Sequence, residues 1–190
     1  DNVGDMANFY LSFMKQFDLK DVTLVGTSMG GWIASEIAVR DQSRLRKLVL
    51  VASAGLRLKG VPPADLFLWS QEELTRNLFH DKALAERLLA MPVSPEDSDI
   101  AVRNRVTTAR LAWNPRLYNP DLEKWIHRLD LPTLVLWGRQ DALLPVAYAE
   151  RFREAIKGAK VQIFEDCGHL PHSEKSPEFV AAIRQFAGEA

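Results

Sequence analysis

The chain reads as an α/β protein: a mainly parallel sheet flanked by helices, with an all-helical stretch inserted into it. Three observations predict this. Four short apolar runs, near residues 21–26, 45–53, 131–137 and 159–164, are continuous rather than alternating, as strands covered on both faces require. Helical patterns separate most of them, as parallel neighbours demand. The second and third runs, however, stand far further apart than a crossover needs, and residues 56–128 between them carry only helical signals.

Taken in order, Met6, Phe9, Tyr10, Phe13, Met14 and Phe17 fall at the 3–4 spacing of an amphipathic helix over about residues 4–18. A strand at 21–26 is followed by a helix at 30–40 and a strand at 45–53 that ends near Gly55. The inserted region reads as helices at 70–79, with a Ser70/Glu73 capping box, and at 81–90, 96–113 and 121–129. Pro62, Pro63, Pro92, Pro95, Pro115 and Pro120 punctuate it. Strands at 131–137 and 159–164 flank a helix at 146–156 that Pro145 introduces. Ser176, as a cap, and Pro177, in the first turn, open a final helix running to about residue 186. Both ends of the insert return to the same sheet, so the expected organisation is a core of 1–55 and 129–190 with a helical lid at 56–128.

Composition narrows the function classes. The 190 residues suffice for a sizeable core, and 24 basic against 25 acidic side chains leave a net charge of -1. That balance creates no field for nucleic acid or an anionic membrane, and no apolar run approaches spanning length. One cysteine, Cys167, excludes an intrachain disulfide and points to a reducing compartment, the cytoplasm. No ligand spacing calls for a metal or another cofactor. A small-molecule partner is what remains.

Chemistry enters at Gly26-Thr27-Ser28-Met29-Gly30-Gly31, between the first strand and the helix after it. A serine between glycines at a strand-to-helix corner is a nucleophile elbow, where only glycine tolerates the crowding. Chance alone yields such a pattern in roughly one of fifteen to twenty chains of this length, so the partners decide. A serine hydroxyl needs a base, and the base a carboxylate to orient it. In a parallel sheet all strand C-termini lie at one edge, so these groups should follow strands. Trp137-Gly138-Arg139-Gln140-Asp141 follows the third strand, and Asp166-Cys167-Gly168-His169-Leu170 follows the fourth. Asp141 is better placed at a strand end than Asp18, Asp21 or Asp166. His169, directly after a glycine, is favoured as base over His172. His80 and His127 lie in the insert and read as surface or packing residues, and Glu174 reads as structural.

The order Ser28, Asp141, His169 resembles that of the α/β-hydrolase superfamily. Two further motifs carry the resemblance over essentially the whole chain. One is W-G-x-x-D completed by Pro145; the other is Gly168-His169, Glu174 and Pro177, with one extra residue before the proline. The resemblance implies an α/β-hydrolase fold and acyl transfer through a catalytic triad. Ser28 would be the nucleophile, His169 the base and Asp141 its partner, with the Met29 N–H in the oxyanion hole. Leu143 and Leu170 would line an apolar acyl pocket, to which Trp69 and Trp113 of the lid contribute. A serine rather than an aspartate nucleophile argues against the dehalogenase and epoxide-hydrolase branches. Carboxylesterases and C–C bond hydrolases of aromatic ring cleavage are the nearest types. The latter often carry Asn and Trp where this chain has Thr27 and Leu170. A hydrolase-fold binding protein is the alternative from another class. Family members have strands ahead of the first helix, so the expectation is the C-terminal two-thirds of a hydrolase, truncated at its N-terminus, with strand 21–26 at a sheet edge.

Overall fold

A computed structural model describes residues 2–188. Helix α1 (Val3–Gln16) is opened by a capping box in which the Asn2 side chain accepts from the Asp5 N–H. Strand β1 (Val22–Thr27) leads through Ser28 into α2 (Met29–Arg40), and β2 (Leu45–Val51) follows. The excursion to the next strand holds α3 (Gln71–Leu78), α4 (Lys82–Leu89), α5 (Pro95–Ala112) and α6 (Pro120–Trp125), the last extended by a 3₁₀ turn, Ile126–Arg128. Then come β3 (Thr133–Gly138), α7 (Ala147–Ala155), β4 (Lys160–Phe164), a one-turn helix α8 (Pro171–Glu174) that the sequence does not announce, and α9 (Ser176–Gly188). The Ser70/Glu73 capping box is formed as its spacing predicts.

Among the described residues the four strands form one sheet in the order β1-β2-β3-β4, and every pairing is parallel. Side-chain alternation splits the core in two. Leu48 and Leu50 of β2 with Val135 and Trp137 of β3 join a cluster with Trp32 and Ile37 of α2, Leu122 of α6 and Phe152 of α7. Val49, Val51, Leu134 and Leu136 point the other way, onto Ala182 and Phe186 of α9. Lys47, on that second face, is buried and donates from Nζ to the Phe186 carbonyl at 2.6 Å, where a cation complements the helix C-terminus. The two middle strands are buried; β1 and β4 are only partly so.

One expectation needs correcting. The aromatic stripe of α1 does not face the core: Phe9 is 63% and Phe17 59% exposed, with Tyr10 and Phe13 also exposed. Of that stripe Met14 is buried and Met6 packs against the core, and Val3 and Ala7 are seated with them. Ala7, with almost no side chain, lets the helix axis come close to its neighbour, and the bulky rings are left outside. Val25 of β1, at the sheet edge, is exposed as well.

The start of the helical excursion is pinned to the segment ahead of α6. Gly55 donates to Leu117 O at 2.8 Å and accepts from Asn119 N at 3.0 Å. The Asn119 amide donates to the buried Glu36 carboxylate of α2 at 2.7 Å, which also receives the Trp32 indole N–H and pairs with Arg40. The segment ahead of α6 is therefore anchored to the C-terminal end of β2 and to α2, while the chain enters β3 from the other end of the sheet.

Candidate active site

Ser28 sits between β1 and α2 with φ 54° and ψ -119°. A positive φ on a serine is strained and persists only where the surroundings enforce it. They do: Ser28 N donates to Val51 O at 2.8 Å, and Ser28 O accepts from Gly31 N at 3.0 Å, Trp32 N at 3.2 Å and Ala54 N at 3.1 Å. A Cβ on Gly26 would overlap the Gly30 carbonyl and stand 2.7 Å from Gly31 Cα. Gly30 itself has open space at that position. The Ser28 side chain makes no capping bond to its own helix, so the hydroxyl is not spent on structure. Met29 N opens α2, where the first N–H groups lack intrahelical acceptors and the dipole favours negative charge.

Asp141 and His169 meet. Asp141 Oδ2 is 2.8 Å from His169 Nδ1, and both side chains are sealed from solvent. Asp141 Oδ1 accepts from Leu143 N and Leu144 N, each at 2.9 Å, which fixes the carboxylate. With Nδ1 donating to the carboxylate, Nε2 presents a lone pair. Nε2 is buried and has no hydrogen-bond partner, Ser28 Oγ included. Serine and histidine thus stand at the same sheet edge without a bond between them.

The meeting is enforced by the loops beneath. Arg139 N donates to Phe164 O at 2.9 Å, prolonging the β3–β4 ladder. Gln140 N donates to Cys167 O at 2.9 Å while the Gln140 amide oxygen accepts from Cys167 N at the same distance. Gly138 is the point of closest approach, since a Cβ there would overlap the Gly168 and Cys167 carbonyl oxygens. The glycine of W-G-x-x-D is thereby explained. Gln140 is a functional neighbour that the sequence does not single out; only its place next to Asp141 hints at it.

The remaining candidates fall in different surroundings. Leu143 is buried beside Asp141 and accepts from Ala64 N at 2.9 Å, while Leu170 is half-buried before α8. Trp113 is 51% exposed and tilts against Phe67 at 5.1 Å. It lines a cavity of about 420 Å³ with Arg57, Arg116, Tyr118 and Tyr148, and no residue of the Ser28–Asp141–His169 set borders that cavity. Trp69 packs at the edge of the core. His172 lies edge-on to Phe179 at 5.9 Å; partial burial first, and then the charge of His169, hold it toward its neutral form. Burial pushes the Cys167 thiol up to about 12, so it is no thiolate nucleophile near neutrality. Among the described residues no group of three His, Cys, Asp or Glu side chains is arranged to hold a metal ion, and no helix is long and apolar enough to cross a membrane.

The chain is similar to known proteins. The chain is 29% identical to 2-hydroxymuconate semialdehyde hydrolase of a Pseudomonas species over 91% of its own length and 64% of that protein's. It is 28% identical to the pimeloyl-[acyl-carrier protein] methyl ester esterase of Vibrio vulnificus, covering 90% of this chain and 71% of that one. The solved structure of a meta-cleavage product hydrolase (CumD) superposes with a TM-score of 0.81 at 21% identity, over 100% of this chain and 73% of the other, a likeness of fold. Against other curated relatives the chain spans 61% and 51% of their length. The sequence model of the alpha/beta hydrolase family matches residues 1–183, and to that family the chain belongs.

Proposed function

We propose that the protein is a serine hydrolase that cleaves a carboxylic ester or related acyl bond of a small molecule through an acyl-enzyme. The observation that carries this is the buried Asp141–His169 pair, with Nε2 free at the sheet edge where the strained Ser28 stands. Catalytic hydrogen bonds are often absent in the unliganded state and tighten around substrate, so the open Ser28–His169 gap is compatible with it. His169 Nε2 takes the Ser28 proton as Oγ attacks the carbonyl carbon, and Asp141 stabilises the imidazolium. The oxyanion lies against the Met29 N–H at the start of α2. The bond to the leaving alcohol breaks as His169 returns the proton to it. Water then gives its proton to His169 and its oxygen to the acyl carbon, releasing the acid and restoring Ser28.

In this reading residues 56–128 form a lid over a core of 1–55 and 129–190. Leu143 and Leu170 line an apolar acyl pocket; Trp113, which borders the separate cavity, is not part of it. The unpaired, buried Cys167 supports a reducing compartment, the cytoplasm. The test is hydrolysis of short-chain p-nitrophenyl esters and labelling by a fluorophosphonate, using the protein expressed from its complete gene. Both should vanish in Ser28→Ala and His169→Ala. A folded protein that binds small molecules yet neither labels nor turns over would make it a binding protein instead. The relative acting on 2-hydroxymuconate semialdehyde favours one second reading, cleavage of a C–C bond by the same residues; turnover of a dienoate ring-cleavage product faster than of esters would select it.

A further inference from the structure

His169 has two attachments that lie outside the sheet, and both run to the helical insert. Its N–H donates to Leu78 O, the last residue of α3, at 2.8 Å. The second passes through Glu174, which α8 turns back toward the start of its own loop. The Glu174 carboxylate accepts from Gly168 N at 2.8 Å, and from His80 N at 2.6 Å and Asp81 N at 3.3 Å. Three main-chain donors from two segments about ninety positions apart in sequence thus converge on one carboxylate. Ionised acceptors make the stronger hydrogen bonds. The two backbones touch as well: a Cβ on Gly168 would stand 2.7 Å from both Leu78 O and His80 N. None of these contacts involves the His169 ring.

We infer that Glu174 is a positioning residue, which latches the α3–α4 elbow of the insert to the Gly168–His169 loop and so makes the setting of His169 depend on how the insert is seated. The inference rests on the reading of Ser28, Asp141 and His169 as a hydrolytic triad. If the insert lifts, the loop loses Leu78 O, and Glu174 keeps only the Gly168 N–H. The Asp141 bond then holds the ring at Nδ1, on a backbone tied only on its β3 side through Gln140 and Cys167. A displacement of about 1 Å at a reacting group costs up to roughly 100-fold in rate. Seating the insert and aligning the base become one event.

The experiment uses the protein from its complete gene, with Glu174→Gln and Glu174→Ala. Glutamine keeps one acceptor oxygen but turns an NH2 toward one of the two segments, so the bridge between them is broken and both are loosened. Hydrogen exchange should quicken together, by about 10-fold or more, at Gly168, His169, His80 and Asp81, and stay unchanged in β2 and β3. The kcat for p-nitrophenyl acetate per folded molecule should fall roughly 10- to 100-fold with KM within about threefold, whereas a loss of stability alone would leave kcat per folded molecule unchanged. If Glu174→Ala does not fold, Glu174→Gln carries the test. Unchanged kcat per folded molecule, or exchange that quickens in one segment without the other, overturns the proposal. A folded wild type without labelling or turnover means that the hydrolase reading has failed; the exchange data then judge the latch by themselves.

Discussion

Gly26 and Gly30 approach so closely at the elbow that no β-carbon fits on Gly26, whereas one on Gly30 meets nothing within 4 Å. The two glycines of G-x-S-x-G are therefore not equivalent. Gly26→Ala should destabilise the protein by about 1–3 kcal/mol through overpacking and slow labelling of Ser28. Gly30→Ala, inside α2, should be neutral or stabilising by up to about 1 kcal/mol. Urea denaturation of the two variants decides it; equal losses would mean that the corner is not set by this contact.

Asp141→Asn keeps an oxygen for the Leu143 and Leu144 N–H groups but turns an NH2 toward His169 Nδ1. Nδ1 must then accept, and Nε2 carries the proton and cannot take one from Ser28. Esterase kcat should fall by roughly 10³–10⁴, while thermal unfolding shifts far less than for a residue whose loss opens a cavity. Loss of both fold and activity would instead assign Asp141 a structural part.

Cys167 should resist alkylation by iodoacetamide at pH 8 in the native state and react at once on unfolding, because it is buried and its thiol is pushed up to about 12. The sign of the accompanying pH effect follows. Above about 9 the unfolded chain gives up this proton while the folded one keeps it, so stability declines as pH rises from about 9 toward about 12. Cys167→Ser, which does not titrate there, should lose that part of the alkaline decline; a thiol that reacts freely at pH 8 would contradict the burial.

The parallel sheet and the strand-end places of Ser28, Asp141 and His169 were legible because they follow from local pattern; the order of the strands was not. Continuous apolar runs separated by helices allow little but a parallel sheet, and a parallel sheet puts every such loop at one edge. The stripe on α1 was legible as a stripe, but not that its aromatic members are exposed while Met14 is buried. Periodicity tells that a helix has two faces; which face is covered depends on what packs there, and Ala7 permits the closer approach. Gln140 carried no signal of its own, and Glu174 was legible as a motif member and as structural but not for what it holds. Their contacts are to main-chain groups of distant segments, and backbone partners leave no trace in side-chain spacing.

The sequence by itself determined the fold family, the chemical identity of the three candidate groups and their order along the chain. Tertiary structure alone decided that Asp141 and His169 stand 2.8 Å apart in a sealed site, that Nε2 is left without a partner, and that Trp113 borders a separate cavity. The physical reason is that a hydrogen bond tolerates only tenths of an ångström. Its length is set by the joint closure of the β3 and β4 loops through Gly138, Gln140 and Gly168, and no single stretch of chain contains it.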